Sequence, residues 1–338
     1  MNPNWRSFLA AADAAFSDDS PLIDSFGDAA GELQAAARQT VVVPLTHLAV
    51  IEAVGEEVKP FLHNQLTSDV NHLQEGQAQH AAWCSAKGRM QASFLLWRAD
   101  GGYRMALAAD LLEATEKRLR MFILRAKVKL AARDDLVLLG LAGAQAGEAL
   151  ADAGLITPAT ALEIAVDGDC VTLRLDGERF IVAAPVAAAP DLWQKLTVKA
   201  RPAGTPAWRW LDVRAALPLV TLATKEEFVP QMADFEKIGG VSFHKGCYPG
   251  QEIVARAQYL GKVKRHLYRL ASAAPLQAGD DLFSPDNPDQ SSGKVMSAAP
   301  APNGGFAALA VVQSNFAAHL HIGSHQGPPV EAVAVHPA

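Results

Sequence analysis

Apolar and polar positions change period several times along the chain, and each change predicts an element. Residues 40–55, TVVVPLTHLAVIEAVG, crowd β-branched side chains and break at Pro44, which predicts two strands. Residues 57–70, EVKPFLHNQLTSDV, predict a short helix running into a polar loop. Between Ala81 and Ala109 two apolar runs predict strands joined by the turn Ala99-Asp100-Gly101-Gly102. Residues 111–127 carry the clearest helical period: Leu112, Leu119, Phe122, Ile123 and Ala126 recur at helical spacing. Glu113–Lys117 and Glu116–Arg120 are spaced for ion pairs on its outer side. The first 35 residues, rich in Ala and Asp, predict a short helical lead-in.

Beyond residue 133 the texture shifts to a strand (DLVLLGLAG), a helix (AQAGEALADAG), a hairpin turning at Asp176-Gly177 and a second helix (APDLWQKLTV). Residues 199–208, KARPAGTPAW, read as a linker, and from His266 short strands alternate with Gly/Pro turns as in a small β-barrel. Hairpins mixed with helices, in place of regular βαβ repeats, predict an α+β protein.

Composition narrows the class. Half of the 338 residues are hydrophobic, enough for a sizeable core, and the length predicts two or three domains. No apolar run approaches the ~18 residues of a membrane span. The N-terminus has no basic stretch leading into an apolar run, so a cytoplasmic protein without a secretory signal is expected. The net charge is −6, yet residues 239–269 hold Lys245, Arg256, Lys262, Lys264, Arg265 and Arg269 against the single acid Glu252. A basic segment in an acidic protein suits either an anionic partner or a solvated face paired with acids elsewhere.

The cysteines are Cys84, Cys170 and Cys247. They are odd in number and match no paired zinc spacing, so free thiols and no resident metal are expected. Cys170 opens an alternating strand and reads as structural; Cys84 is ambiguous. Cys247 lies in HKGCYPGQE, where Gly246 and Gly250 permit a tight backbone path and Pro249 fixes one dihedral. Residues QEIVARAQ begin a helix after it, and Lys245 with Arg256 would lower the thiol pKa; a small buried hydrophobe is the plain alternative. His244 and His266 are too poorly supported by an orienting acid to make Cys247 a hydrolase nucleophile. His319 and His321 alternate as on a surface strand. A second polar cluster comprises Asn64, Gln65, Thr67, Ser68 and Asp69, for which helix capping is the plain reading. A third is Lys87, Gly88 and Arg89. No P-loop and no Rossmann glycine fingerprint is present.

At GGVSFHKGCYPGQEIVARA the sequence resembles the YgfZ family of folate-binding proteins, relatives of the glycine-cleavage aminomethyltransferase. The family motif K-G-C-[YF]-x-G-Q-E is met at Lys245, Gly246, Cys247, Tyr248, Gly250, Gln251 and Glu252. FLHNQLTSDV, AAWCSAKGRM and FVPQMADFEKIGGVSF extend the resemblance from about residue 40 to the end. It implies an α+β, three-domain aminomethyltransferase-like fold. Two ferredoxin-like units and a C-terminal β-barrel would surround a central opening that holds tetrahydrofolate. The implied division is a lead-in (1–35), a first α+β domain (36–132 with 205–265), a second (133–204) and the barrel (266–338).

The resemblance further implies a monomer that supports iron–sulfur cluster assembly or repair in client enzymes, including tRNA-modifying ones. Cys247 and Lys245 would form the reactive centre. Folate would be met by Trp208, Asn64, Gln65, Thr67, Asp69, Lys87 and Arg89, with Tyr248, Gln251 and Glu252 nearby. Its anionic tail would be drawn to Lys245, Arg256 or Arg214. The chain departs from the aminomethyltransferases where their paired aspartates give way to Gln91 and Ala92, so glycine cleavage is not expected. Arg214 replaces a glutamate of the E-x-G-x-P segment, and Leu48, beside His47, replaces an early tryptophan. The rival readings are a folate-dependent one-carbon transferase acting on a tRNA or protein acceptor, and a non-catalytic module that either binds RNA through segments 117–133 and 256–269 or docks client enzymes.

Overall fold

The computed structural model describes residues 1–18, 20–99, 101–259 and 263–336. Asp100 of the expected turn and Lys262 of the basic segment lie outside them. The mixed α+β architecture anticipated above is found, closed at its C-terminal end by a six-stranded barrel.

A five-stranded antiparallel sheet runs Ala78–Cys84, Met90–Ala99, Gly102–Ala108, Leu48–Val54 and Lys129–Ala132 in spatial order. Its strands read as apolar runs because most of their residues are covered. Met90, Ala92, Phe94 and Leu96 face a core shared with Leu62 and Leu119 from the helices Val58–Gln65 and Leu112–Arg120 and with Leu66 just beyond the first. The second sheet has six strands, ordered Ile164–Asp167, Cys170–Asp176, Arg179–Pro185, Leu136–Ala142, Val41–Pro44 and Arg201–Pro202. One of its faces takes the helices Pro3–Ala11, Ala146–Asp152 and Ala189–Leu196 through Trp5, Leu9, Leu150, Leu192 and Trp193. The opposite face takes Thr205–Ala215 through Ala207, Trp208 and Leu211. That helix also packs on the barrel strand Gly293–Pro300, so it lies between sheet and barrel.

Pro44 divides the expected strand pair between sheets: Val41–Pro44 joins the six-stranded sheet and Leu48–Val54 the five-stranded one. The corner between them is tied down, with the Leu45 amide donating to the Leu138 carbonyl (2.8 Å) and the Ala109 amide to the His47 carbonyl (2.9 Å).

In the barrel, Arg265–Ser272 pairs with both Phe306–Gln313 and Pro329–Ala334, completing a closed ring. Closure leaves no exposed sheet edge to recruit another strand. None of the described helices is long and apolar enough to cross a membrane.

Two expectations are corrected. The helix predicted over 111–127 stops at Arg120, because its bonding pattern tightens: the Phe122 amide donates to Leu119 (3.0 Å) and the Ala126 amide to Ile123 (2.7 Å). Leu124 takes a left-handed φ of 46°. Phe122 and Leu124 are turned outwards, 41% and 90% exposed, while Ile123 and Ala126 keep the core contacts expected of them. Arg120 bonds Glu116 (2.7 Å) and the Leu130 carbonyl (2.8 Å), locking the helix end to the strand it must reach. Residues 199–208 are not a linker. Arg201–Pro202 adds a parallel edge strand to Val41–Pro44, and Thr205 to Trp208 already belong to a buried helix.

Candidate functional site

The three polar motifs singled out in the sequence meet through direct contacts, Lys245 with His63 and Leu66 and Gly250 with Gly88. The helix Val58–Gln65 ends with carbonyls that its own turns cannot satisfy. Lys245 reaches under them, its Nζ donating to the carbonyls of His63 and Leu66 (2.5 Å to the latter). Burial lowers the pKa of this lysine to about 8, against the opposing pull of Asp69. Its ammonium stands 5.0 Å from the Tyr248 ring centre. Tyr248 is buried, and its pKa is raised by that burial and by its neighbour Cys84. Cys84 is a buried thiol pushed up to about 12 by desolvation. Cys247, between the buried anchors Lys245 and Tyr248, is the exposed cysteine of the three, and all three are free. The lysine expected to tune this thiol is thus engaged beneath the turn, as a brace.

Gly250 follows, with φ +79°, and the chain enters the helix Gln251–Tyr259. A Cβ on Gly250 would lie 2.3 Å from the Ser85 carbonyl oxygen and 2.6 Å from Gly88 Cα. The glycine of K-G-R-M and that of P-G-Q-E therefore pack backbone on backbone. Lys87 is exposed, and Arg89 donates to the carbonyls of Glu226 (3.3 Å) and Glu227. Glu252 and Arg256 are exposed on the new helix, and Gln251 is half-buried.

The first polar cluster is chiefly architectural. Fully buried Thr67 donates to the Gly240 carbonyl (2.5 Å) and accepts from the Ala82 amide (2.8 Å), stitching the sheet to the loop that leads to Cys247. Asp69 accepts from the Asn71 amide (3.0 Å) and meets His72 Nδ1 (2.8 Å) and His63 Nδ1 (3.3 Å). Burial, which would raise its pKa, is outweighed by the bond to His72 and the charges of both histidines, so the carboxyl is held low. Asn64 is exposed, whereas Gln65 is half-buried with Oε1 unpartnered.

Trp208 and Arg214 stand elsewhere. Trp208 is 1% exposed, and its ring lies so close to Gly140 that an added Cβ would sit 2.4 Å from it. The Arg179 guanidinium covers the ring at 5.0 Å. Trp208 borders a void of about 60 Å³, room for a few waters and not for a pterin. Its location is that of a packing residue. Arg214 is exposed and stacks 4.9 Å from the Trp210 ring.

A larger cavity of about 740 Å³ opens where the two sheets, the helix Thr205–Ala215 and the barrel meet. Its volume is within the range of small-molecule sites. Leu48, Leu217, Leu219 and Met296 supply apolar wall, and Thr46, His47, Arg209, Asp212 and Ser297 supply polar wall. None of the predicted site residues of 64–69, 87–89 or 245–256 lines it. His47 is 5% exposed, and burial together with Arg209 lowers its pKa to about 3. Asp212, bonded to Arg179, is raised to about 6 by burial. The polar wall is drawn from three separate stretches of chain, and no local motif announces it. Among the described residues no group of three His, Cys, Asp or Glu could hold a metal ion.

No family model matches the chain. Among solved structures, the glycine cleavage system aminomethyltransferase T from Bartonella henselae superposes with a TM-score of 0.76, over 100% of this chain and 97% of that one. The identity there is 20%, so the likeness is one of fold. The tRNA-modifying protein YgfZ of Klebsiella pneumoniae (strain 342) is 36% identical over 246 residues, covering 71% of this chain and 75% of the relative. On that similarity, which reaches well beyond a single motif, the chain belongs to the YgfZ family.

Proposed function

We propose that this protein binds a reduced folate in its central cavity and, through Cys247, supports the assembly or repair of iron–sulfur clusters in cytoplasmic client enzymes, including enzymes that modify tRNA. The observation that carries this reading is the separation of two features: a ligand-sized cavity at the junction of sheets and barrel, and a lone exposed thiol held on a braced turn away from it. The cavity's volume and its wall, which combines apolar surface with polar atoms unpartnered among the described residues, support a folate as its occupant. Cys247, once its proton has gone to solvent, is a soft donor suited to iron in transit. Lys245, Tyr248, Gly88 and Gly250 hold that sulfur at the surface, where a client protein can reach it. The relative's description as a tRNA-modifying protein supports the link to tRNA.

Aminomethyl transfer to folate is disfavoured by the residues themselves. Where the aminomethyltransferases carry paired aspartates this chain has Gln91 and the core residue Ala92.

Two measurements test the proposal. Calorimetric titration with tetrahydrofolate should give the same binding for the wild type and Cys247→Ala. In a strain lacking the protein, wild type but not Cys247→Ala should restore iron–sulfur-dependent tRNA modification. Absence of tetrahydrofolate binding sinks the folate half, and full rescue by Cys247→Ala sinks the thiol half.

A further inference from the structure

We propose that Met121, Phe122 and Leu124, with Arg118 and Arg125 beside them, form a docking knob for an apolar, acid-rimmed groove on the iron–sulfur client protein that Cys247 serves. This inference rests on the thiol reading above and adds the surface by which the partner is held.

Large apolar side chains standing singly on a surface are ordinary, but a contiguous group rimmed by polar residues marks an interaction site. Met121 is 63% exposed and Leu124 90%, with Phe122 at 41% between them. Leu124 takes its left-handed φ of 46° at a cost to any residue with a Cβ. An aliphatic side chain held that way in water returns nothing to the fold through burial. Strained backbone of this kind gathers at functional segments. The turn is nonetheless firm. The amides of Met121, Phe122, Ile123 and Ala126 donate to the carbonyls of Arg118, Leu119, Arg120 and Ile123 at 2.7–3.2 Å, and Ile123 and Ala126 pack on the core. The trio is therefore presented in a fixed arrangement, which lowers the entropy that docking must overcome.

The charges around the trio decide what it meets. Lys117, Arg118, Arg125 and Lys129 are exposed and make no ion pair among the described residues, whereas Arg120 and Lys127 are held by Glu116 (2.7 Å) and Glu56 (2.6 Å). Four unpaired cations on a chain of net charge −6 select an acidic counterpart. Single-stranded RNA would ask for flat stacking surfaces beside them. Here the most exposed member is aliphatic Leu124, and the Phe122 ring is set edge-on to Trp83 at 6.2 Å. An anionic bilayer would ask for a longer apolar face than one turn supplies. A protein groove takes a few clustered anchors. The frame beneath the knob points to the client. Trp83 is bridged to Leu66, and the Leu66 carbonyl accepts from the Lys245 ammonium (2.5 Å), two residues before Cys247. Knob and thiol are thus carried on one braced frame, so a protein docked on the first is held at a set distance from the second.

The test uses the strain lacking the protein together with the purified full chain. Asparagine tolerates the left-handed conformation, so Met121→Gln/Leu124→Asn removes apolar surface without disturbing the turn. This double variant should melt as wild type does, because both side chains are exposed. Tetrahydrofolate binding and the reaction of Cys247 with Ellman's reagent should also be unchanged. Iron–sulfur-dependent tRNA modification should nevertheless be restored at least about fivefold less well than by wild type, as two anchors are lost. Arg118→Glu/Arg125→Glu should fail likewise, since it sets like charge against the acidic rim. Full restoration by either double variant overturns the inference while leaving the thiol reading intact. So does binding of wild type, but not of Met121→Gln/Leu124→Asn, to phosphatidylglycerol vesicles or to bulk tRNA, which would assign the knob to lipid or RNA. If the first double variant melts low, Leu124→Asn alone is read in the same way. If wild type restores no modification, or Cys247→Ala restores it fully, the thiol reading falls and the inference with it.

Discussion

Gly88 and Gly250 meet without side chains between them, each in a left-handed conformation, and this contact joins the K-G-R-M turn to the cysteine motif. Alanine at 250 would meet the Ser85 carbonyl oxygen at 2.3 Å and retain an unfavourable φ of +79°. Gly76 has nearly the same φ, +76°, with nothing within 4 Å, so it isolates the conformational cost. Gly76→Ala is expected to cost about 1 kcal/mol, and Gly250→Ala at least about twice that. Urea unfolding of the two variants checks the difference; equal costs would mean that the contact is loose.

The three thiols should react in the order of their exposure. Cys247 is exposed. Cys170 is half-buried, its pKa raised by burial and then by Asp169 and Asp167; Cys84 is covered and pushed up to about 12. Ellman's reagent on the native protein should show one fast thiol, lost in Cys247→Ala, and a slower second. The third should appear only on unfolding. A fast phase that survives in Cys247→Ala would contradict this order.

Acid should destabilise the protein through His47. Its pKa is about 3 in the fold against an ordinary value of 6.5. A depressed folded pKa gives a contribution that is fully present above pH 6.5 and is lost progressively as the pH falls towards 3. Complete loss is worth on the order of 5 kcal/mol. His80, lowered to about 4 by burial, adds to the trend in the same direction. Relative to wild type, His47→Leu should therefore gain stability between pH 6 and pH 4, as read by urea midpoints. Parallel curves for the two proteins would show that His47 titrates normally.

Gly140→Ala should push on Trp208, whose ring an added Cβ would approach to 2.4 Å. Overpacking of this kind costs about 1–3 kcal/mol, and the indole emission should shift with it. Trp208→Leu makes room, so the double variant should be more stable than the sum of the single losses. Strict additivity would show that the two sites do not touch.

Local pattern carried much of the architecture. The hairpin at Asp176-Gly177 and the barrel after His266 were legible because alternation and turn residues coincide there. The helix over 111–127 was overread: Phe122 keeps the period of Leu112 and Leu119, but tightened turns after Arg120 swing it outwards. Residues 199–208 look like a linker because Pro202, Gly204 and Pro206 punctuate them, although tertiary pairing with Val41–Pro44 makes part of them a strand. The motif around Cys247 was readable as a unit. The polar wall was not, since Thr46, His47, Arg209 and Ser297 become neighbours only when the sheets and the barrel are assembled.

Three residues, Leu45 to His47, carry the chain from one sheet to the other, and two of them hold polar groups of the cavity wall. A connection that short has no slack. The sheets cannot slide or tilt against each other without moving the Thr46 and His47 side chains, and a molecule gripping those side chains splints the sheets in turn. The corner is thus a fulcrum, through which filling the interior would stiffen the whole frame that holds Cys247 out to its partners.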